Sequence, residues 1–498
     1  MNGYVVGCDV GSQSIKAVLV DPGGGIVASA ASPYAMQHPA SGWAEQEPQI
    51  WLDGLESVIG SLLAAGGVPG SAVGGLGFAS QVDGLVAVDD AMVPLRPAII
   101  WLDRRAAREA EQLRTALPVE HVLRVTGLNI DASHTAPKMM WLRDREPEHY
   151  GAAAALLSPG AYMVAALTGE VVSDHANASS TMIYDVGRRA WSPELLDVTG
   201  IAPHLLGRLD EAQAVAGTLT AKAAAWLGLS PSCVVVVGTG DEHGACLGAG
   251  VVAPGVICDI TGTAEPVAAA APEPMLDAGG LVETHAHAAP FTWLIENPGF
   301  VSGGSTLWYA ERVLGLSQRD LPALAEQAPA GCDGVAFLPA LSGSMTPRWS
   351  DHARGVFSGL AMNHTRAHLA RAVYEGTTFA LRDIVDRLAE IGLDGEEVRV
   401  VGGGAASPFW MQLKADVTGR VVRGLSTPEP TAVGAAMLAG VGTGLFADLA
   451  AAIACLPALD DRVYQPADTA AAVYDEAYDR YRALFDAVEP MFAERAAR

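Results

Sequence analysis

The segment that decides the fold is Cys233–Gly250, which reads CVVVVGTGDEHGACLGAG. Its apolar, β-branched run, Val234 to Val237, predicts a buried strand that ends at Gly-Thr-Gly. The acidic pair Asp241-Glu242 follows, and a stretch rich in Gly and Ala then predicts a tightly packed helix. Because α/β proteins place functional groups just beyond the carboxyl ends of buried strands, Asp241 is a candidate catalytic group. An ordinary surface aspartate after a strand is the alternative that this segment alone leaves open.

The glycines of the same segment also suggest a dinucleotide-binding loop. Their spacing, Gly238-x-Gly240-x-x-x-Gly244, is one residue longer than the G-x-G-x-x-G fingerprint, and Asp241 would stand where a pyrophosphate needs backbone N–H groups. The acidic pair favours instead a general base beside a neutral, hydroxyl-bearing substrate. A dinucleotide oxidoreductase is therefore a distant alternative, which the absence of NAD binding would remove.

Length and charge limit the classes of function. A chain of 498 residues is too long for one hydrophobic core and suggests two to three domains. The formal net charge of −25 disfavours a nucleic acid or an anionic membrane as partner, because a field of that sign repels phosphates. An anionic nucleotide can still bind through metal ions and backbone amides.

Cysteine usage and the N-terminus indicate the compartment. The six cysteines are scattered, without a C-x-x-C pair, which is typical of buried, reduced thiols in a cytoplasmic protein. The N-terminus leads directly into a predicted strand and carries no basic region or cleavage site. Charges, Gly and Pro interrupt every apolar run before it reaches the length of a membrane span. We therefore expect a soluble, cytoplasmic protein.

The two halves of the chain repeat one pattern. Predicted strands over Tyr4–Val10, 15–20 and 26–31 open the first half, and helices and strands then alternate in α/β order. In the second half the predicted strand Val256–Ile260 again ends in an aspartate followed by Gly and hydroxyl residues. We expect two α/β domains, 1–250 and 251–498, that face a shared cleft.

Two hairpin loops could hold phosphate groups. In Asp9-Val10-Gly11-Ser12-Gln13-Ser14 the small residues let backbone N–H groups and hydroxyls approach phosphate oxygens, and Asp9 could bind Mg²⁺, through water. Thr261-Gly262-Thr263 offers the same chemistry from the second domain. Either loop alone is more often an ordinary hairpin. No G-x-x-x-x-G-K-[ST] motif is present, which excludes a P-loop nucleotide site.

Other polar loops are ambiguous. Gly402-Gly403-Gly404-Ala405 could let a purine and ribose lie against the backbone, or could be a crowded strand–helix junction. His285 and His287 share one face of a strand, but no third ligand stands at a usual spacing for a metal. Gln81-Val82-Asp83-Gly84 and Trp101-Leu102-Asp103-Arg104 offer polar groups and an indole face for a sugar, or are surface turns.

Together these segments resemble the FGGY carbohydrate kinase family, and within it the xylulose kinases. The resemblance runs from about Tyr4 to Gly440 and keeps several motifs in order. The segments that carry it include GCDVGSQSIKAVLVD (7–21), GFASQVDGLVAVD (77–89), PAIIWLDRRA (97–106), TAPKMMWL (135–142), GTGDEHGACLGAG (238–250), GVFSGLAMNHTRAHLARAVYEGTTFALRD (355–383) and VRVVGGGAASPFWMQLKADVTG (398–419).

The resemblance implies an actin/hexokinase-like fold of two ribonuclease-H-type domains flanking a central cleft. The sugar would bind mostly on the first domain and ATP mostly on the second. Asp241 matches the catalytic base that takes the proton of the attacking hydroxyl, and Asp9 matches the carboxylate that organises Mg²⁺. The residues implied to line ATP are Gly11, Ser12, Gln13, Ser14, Thr261, Gly262, Thr263, Gly303, Gly403, Gly404 and Ser407.

Two departures from the family bear on the substrate. Val82-Asp83-Gly84 stands where similar xylulose kinases typically have Met-His-Gly, and Glu242 stands where Asn or Gln is more usual. A carboxylate only accepts hydrogen bonds, so both changes suit hydroxyl donors and weaken the specific case for D-xylulose. The substrate-binding residues expected are Gln81, Asp83, Trp101, Asp103, Asp241 and Glu242.

The sequence thus predicts an ATP- and Mg²⁺-dependent kinase for the terminal hydroxyl of a pentulose, with D-xylulose the first choice. Ribulose, another ketose or a polyol such as erythritol or xylitol is the nearest alternative. A non-enzymatic, actin- or chaperone-like ATP-binding module is the alternative from another class, and it would turn ATP over slowly whatever sugar is added. Dimers are common in the family, so a homodimer is an assembly that the resemblance allows.

Overall fold

A computed structural model describes residues 3–427, 429–455 and 459–496 and arranges them as two α/β lobes, each built around a seven-stranded sheet. The N-terminal sheet has, from edge to edge, the strands Val215–Thr218, Val234–Val236, Val73–Ser80, Tyr4–Val10, Ser14–Val20 and Ile26–Pro33, and the short strand Thr239–Gly240 also pairs with Val73–Ser80. The C-terminal sheet has, in order, Glu283–Ala286, Trp293–Asn297, Val267–Ala271, Val256–Ile260, Glu397–Val401, Val421–Leu425 and Leu459–Tyr464.

The two sheets share one topology. In the first lobe the strand Tyr4–Val10 pairs antiparallel with Ser14–Val20 and parallel with Val73–Ser80. In the second lobe Val256–Ile260 pairs antiparallel with Val267–Ala271 and parallel with Glu397–Val401. The repeat predicted from the Asp-ended strands is therefore a repeat of fold, and the predicted two-lobed, ribonuclease-H-like α/β class is confirmed.

Helices pack against the sheets, and the central strands are accordingly rich in buried apolar residues. The helices of the first half are Gln49–Gly66, Ala107–Ala116, Val119–Thr126, Thr135–Arg145, Pro147–Ala152, Pro159–Thr168, His175–Ser179, Pro193–Thr199, Ala221–Leu227 and Asp241–Gly248. Those of the second half are Gly303–Leu307, Leu321–Ala325, Arg366–Glu390, Pro408–Thr418, Pro430–Gly442, Leu449–Cys455 and Ala471–Ala496, with a π-helical turn at Trp308–Leu314. No helix in the described part of the chain has both the length and the hydropathy to cross a bilayer.

Short two-stranded ladders complete the lobes. They pair Glu45–Gln46 with Ala98–Ile99, Val86–Val88 with Ala155–Leu157, Val172–Asp174 with Arg208–Asp210, Tyr184–Asp185 with Ala190–Trp191, and Ala336–Leu338 with Val356–Ser358.

Two helices cross between the lobes, and we call them the exchanged helices. Asp241–Gly248 follows the N-terminal sheet and packs on both lobes, because Ala245 and Cys246 cluster with Cys258 of the second lobe and Leu247 clusters with Val5 of the first. Pro430–Gly442 follows the C-terminal sheet, yet its residues cluster with Val5 and Val18 of the first lobe. The proposed division at residue 250 places Pro430–Gly442 in the C-terminal domain, whereas this helix packs against the sheet of the N-terminal lobe. Residues 1, 2, 428, 456–458, 497 and 498 of the predicted domain ranges lie outside the described residues.

Glycines let the exchanged helices touch backbone to backbone. A Cβ atom added at Gly434 would lie 2.1 Å from the carbonyl oxygen of Gly244, and one added at Gly248 would lie 1.9 Å from that of Pro430. A Cβ on Gly7, in the strand beneath, would lie 2.0 Å from the oxygen of Ala432. Only hydrogen fits at these positions, so the Gly/Ala-rich composition is a consequence of close helix packing, as the sequence predicts.

We expect Gly434→Ala to destabilise the protein by about 1–3 kcal/mol or more, because neither backbone can move away without shifting a lobe. The matched control is Gly60→Ala, on the exposed face of Gln49–Gly66, where an added Cβ meets nothing within 4 Å. That change should stabilise the helix by about 0.5–1 kcal/mol. Denaturant unfolding measures both variants, and a Gly434→Ala protein as stable as the parent would contradict the packing described.

Candidate active site

Asp241 is the first residue of the exchanged helix Asp241–Gly248. The strand Thr239–Gly240, which pairs with Ala79 and Ser80, carries the chain to this point, and the backbone N–H of Glu242 donates to Asp241 Oδ1 at 3.0 Å. Burial and then the charge of Glu242 raise the pKa of Asp241 to about 8. A carboxylate with so high a proton affinity is suited to accept a proton from a hydroxyl group.

Asp9 ends the strand Tyr4–Val10 beside the same site. Burial and then the charge of Asp241 raise the pKa of Asp9 to about 8. Lys16, whose charge partly offsets this rise, is paired with Glu429 Oε2 at 3.0 Å. Two neighbouring carboxylates that disfavour each other's charge form an oxygen-rich, negative environment of the kind that a divalent cation prefers.

The loop after Asp9 is held in place by groups behind it. The hydroxyl of Tyr34 donates to the carbonyl oxygen of Gly11 at 2.6 Å, and the backbone N–H of Tyr34 donates to that of Gln13 at 2.9 Å. The side chain of Gln46 donates to the carbonyl oxygen of Ser12 at 2.8 Å. Since three successive carbonyls are satisfied from within the lobe, the loop has a fixed shape before any ligand binds.

Gln81 follows Ser80, which pairs with Gly240, the residue before the base. Its backbone N–H donates to Val10 O at 2.9 Å, and its side-chain Nε2 donates to Gln46 Oε1 at 2.9 Å. Its Oε1 atom is buried and has no hydrogen-bond partner among the described residues. Burying an acceptor without a donor costs free energy, so this atom is suited to accept a hydrogen bond from a substrate hydroxyl.

Asp83 has a left-handed backbone with φ of +56°, which Asp tolerates better than most residues. The buried Lys138 holds this turn by donating from Nζ to the carbonyl oxygen of Asp83 at 2.6 Å and to that of Ile100 at 3.1 Å. Burial lowers the pKa of Lys138 to about 8. Sequence reasoning missed this lysine, although its place in the apolar run TAPKMMWL could have revealed it.

Asp103 and Trp101 have different environments. The side chain of Asp103 is fully buried, and it accepts from the backbone N–H of Ala44 at 2.6 Å and from the Arg105 guanidinium at 2.9 and 2.7 Å. Both carboxylate oxygens of Asp103 are therefore engaged within the protein, which favours a structural role, and its contact with the sugar stays a prediction. Trp101 is 38% exposed, and its indole is open to a ligand.

The nucleotide loops predicted for the second lobe come together in space. The backbone N–H of Gly303 donates to Gly262 O at 3.1 Å, that of Gly304 to Thr263 O at 3.0 Å and that of Gly404 to Thr261 O at 3.2 Å. Three segments that are distant in sequence thus form one continuous, glycine-lined surface.

The glycine run after Glu397–Val401 is a crowded junction at one end and an open backbone surface in its middle, so each of the two interpretations applies to part of it. A Cβ at Gly404 would lie 2.4 Å from Thr261 Cγ2, so this end is a crowded junction. An added Cβ at Gly403 meets nothing within 4 Å, so the middle of the run is open to a ligand. Ser407 Oγ accepts from the backbone N–H of Trp410 at 3.3 Å and caps the helix Pro408–Thr418.

A buried lysine supports the Thr261 loop from below. Lys414 Nζ donates to Asp259, to Thr261 Oγ1 at 2.6 Å and to Glu265 Oε1 at 2.8 Å, and all three charged side chains are fully buried. Asp259 has the same place in its sheet as Asp9 in the first, but its charge is neutralised by Lys414. Sequence reasoning missed Lys414, whose only signal is a lysine amid the apolar residues of Pro408–Thr418.

Lys414→Met should destabilise the protein by about 3–5 kcal/mol, because it leaves the buried Asp259 and Glu265 without a cation. Lys16→Met is the control, since Lys16 and Glu429 form a more exposed pair whose loss costs about 0–1 kcal/mol. Denaturant unfolding of the two variants at pH 7 distinguishes them. Equal losses of stability would show that the Lys414 network is not a buried charge cluster.

Glu242 turns toward the second lobe. Its carboxyl group faces that of Glu296 on the strand Trp293–Asn297, and burial raises the pKa of both groups, that of Glu296 to about 8. Two carboxyl groups in this contact share a proton. His285 Nε2 lies 3.1 Å from Glu296 Oε1, and burial lowers the pKa of His285 to about 4, so this histidine is neutral.

The histidines noted in the sequence gain a third neighbour from the other lobe. The ring of His243 lies 5.8 Å from that of His285 and 6.3 Å from that of His287, centroid to centroid. Burial lowers the pKa values of all three. Across the residues that the structure describes, no three His, Cys, Asp or Glu side chains are placed to hold a metal ion.

Fold and site together define the class of protein. Two ribonuclease-H-like lobes meet beside an acidic site that contains Asp9 and Asp241, and a glycine-lined surface lies on the second lobe. This is the architecture of the two-lobed phosphotransferases of the actin/hexokinase type.

The chain matches the model for the FGGY family of carbohydrate kinases, N-terminal domain, over residues 4–248 and the model for the C-terminal domain over residues 257–443. It belongs to the FGGY family of carbohydrate kinases, enzymes that transfer a phosphoryl group from ATP to a carbohydrate. This membership argues against the dinucleotide alternative.

Individual relatives cover nearly the whole chain. A xylulose kinase of Lactococcus lactis is 30% identical over 97% of this chain and 96% of its own. A glycerol kinase of Citrifermentans bemidjiense is 32% identical over 92% of this chain and 94% of its own. The crystal structure of xylulose kinase from Rhodospirillum rubrum superimposes with a TM-score of 0.90 at 30% identity, covering 98% of this chain and all of the other.

Proposed function

We propose that this kinase phosphorylates the terminal hydroxyl of a pentulose, with D-xylulose the first candidate. The observation that carries the proposal is the position of Asp241, which has a raised proton affinity at the first turn of the exchanged helix, beside the unpartnered acceptor Gln81 Oε1 and the carboxylate of Asp83. The xylulose kinases among its relatives support the choice of sugar.

In this reaction Asp241 accepts the proton of the terminal hydroxyl as its oxygen attacks the γ-phosphorus of ATP in line. Asp9 would hold Mg²⁺, through water, and the ion would offset the negative charge of the phosphates. The paired raised pKa values of Asp9 and Asp241 fit such a cation, because each carboxylate lacks a compensating charge.

The acidic surroundings of the base favour a neutral acceptor. Asp83 and Glu242 both raise the pKa of Asp241, so negative charge is already concentrated there. A sugar acid would add another anion to a partly desolvated site, which is unfavourable. Hydroxyl groups, by contrast, can donate to these carboxylates.

The nucleotide would lie along the second lobe, with its phosphates between the Gly11–Ser14 loop and the Thr261–Thr263 loop. Gly303, Gly403, Gly404 and Ser407 would line the rest of it, as the resemblance implies. Closure of the lobes would expel water and so prevent wasteful hydrolysis of ATP.

We propose the cytoplasm as the compartment, since all six cysteines are unpaired and five of them are buried. A homodimer is proposed from the family resemblance alone.

The glycerol kinase relative keeps a polyol acceptor as the second candidate, beside ribulose and other ketoses. The non-enzymatic ATP-binding module is the alternative from another class.

ADP release with Mg-ATP, measured against D-xylulose, L-xylulose, D- and L-ribulose, glycerol, erythritol and xylitol, tests the proposal. One acceptor should stimulate turnover by orders of magnitude, and Asp241→Asn should lower kcat by about 10²–10⁴ because it removes the base. Glu242→Gln is the neighbouring control and should lower it far less. Turnover that no acceptor stimulates, and that Asp241→Asn leaves unchanged, would favour the ATP-binding module.

The raised pKa of Asp241 also gives the reaction a pH dependence. The base works only in its ionised form, so kcat/KM for the sugar should rise about tenfold per pH unit below about pH 8 and then level off. Initial rates at saturating Mg-ATP and constant ionic strength measure this profile. A profile that is flat from about pH 6 to about pH 8 would mean that Asp241 is already ionised in the free enzyme.

A further inference from the structure

His134 is held by one ring nitrogen and leaves the other free. It occupies the N-cap position of the helix Thr135–Arg145 without a capping hydrogen bond, and its Nδ1 atom lies 3.4 and 3.3 Å from the two carboxylate oxygens of Asp83. The side chain is only 6% exposed. Its Nε2 atom has no hydrogen-bond partner among the described residues, and the closest acid to it, Glu283 Oε1, is 4.0 Å away.

The charged groups that face His134 come from both lobes. Asp83, Asp131 and Lys138 belong to the first lobe, and Glu283 and His285 belong to the strand Glu283–Ala286 of the second. Two of the acids have other partners, because Asp131 pairs with Arg104 and Ser133, and Glu283 Oε1 accepts from the backbone N–H of Asn129 at 2.7 Å.

These groups keep His134 protonated at neutral pH. Burial alone lowers its pKa, but Asp83, Glu283 and Asp131 outweigh burial and raise the pKa of His134 to about 9. Both nitrogens of an imidazolium are donors, so Nε2 carries a proton that no group among the described residues accepts in a hydrogen bond.

Three polar groups near the base offer only acceptor atoms to a ligand. Asp83, Asp241 and the Oε1 atom of Gln81 can each bind a hydroxyl, which donates. A carbonyl oxygen cannot donate, and beside carboxylates alone it would lack a partner. His134 Nε2 supplies the donor that this set otherwise lacks.

We propose that His134 is a specificity-determining residue that donates from Nε2 to the carbonyl oxygen of a ketose, so that the kinase prefers a ketose to the matching alditol. This inference rests on the proposed function and names its substrate class more narrowly. An alditol has a hydroxyl at the same carbon, which can donate to a carboxylate in the absence of His134, whereas a carbonyl cannot.

The test compares kcat/KM for D-xylulose and xylitol in the wild type, His134→Phe and His134→Gln at pH 7.5. A site built to hydrogen-bond a polar group discriminates strongly, so His134→Phe should lower kcat/KM for the ketose by about 10–100-fold, mainly through KM, and that for xylitol by less than about threefold. His134→Gln retains an N–H donor and should recover part of the ketose preference. His204→Phe, on the exposed turn Pro203–Leu205, is the matched control and should change neither value.

The pH profile provides a readout that a purely structural role would not affect. The ratio of kcat/KM values for ketose and alditol cancels the ionisation of Asp241, which both substrates need. In the wild type this ratio should fall above pH 9, because His134 with its raised pKa of about 9 loses a proton there. In His134→Gln the ratio should not depend on pH.

Each failure has its own signature. If His134→Phe lowers both activities equally and His134→Gln restores neither preferentially, His134 is structural and the inference is wrong, while the proposed function stands. If no carbohydrate stimulates the wild type, the proposed function fails and the inference fails with it.

Discussion

The backbone contact between the two exchanged helices is the constraint on which the site depends. Gly434 lies against the carbonyl oxygen of Gly244, and Gly248 lies against that of Pro430, at distances that exclude any side chain. Each helix also begins at the active site, one with Asp241 and the other just after Glu429. The position of the base is therefore fixed by glycines buried several residues away from it, and the two helix N-termini bring positive dipole ends toward an acidic loop.

The equivalent strand ends of the two lobes have different electrostatic environments. Asp9 and Asp259 end equivalent strands, yet Asp259 is neutralised by Lys414, whereas Asp9 lies beside another carboxylate. In the second lobe the aspartate and lysine hold the Thr261 loop in shape. In the first lobe the same strand end retains an uncompensated charge, which is what a phosphoryl-transfer site requires for holding a cation.

Local patterns in the sequence predicted the strands and the loops well, because buried β-branched runs that end at glycine have few other interpretations. Tyr4–Val10 and Val256–Ile260 have the predicted bounds. The direction of a side chain and its distant partner leave no such local signal. Asp103 was therefore predicted to bind the sugar although Arg105 and Ala44 engage it, and the contact of Glu242 with Glu296 depends on how the lobes meet. The packing of the exchanged helices likewise depends on residues far away in the sequence, so no local pattern predicts it.

The cations near the base are largely committed, and this determines what a ligand must bring. Lys138 donates to two backbone carbonyl oxygens, Lys16 forms an ion pair with Glu429, and Arg105 forms an ion pair with Asp103. None of these three side chains is left to neutralise a triphosphate, so the compensating charge has to arrive with the nucleotide as its metal ion or come from backbone N–H groups. A site dominated by carboxylates recognises hydroxyl donors well and a carbonyl oxygen poorly, because carboxylates do not donate hydrogen bonds. The protonated ring of His134 therefore adds a donor that a carbonyl oxygen can use.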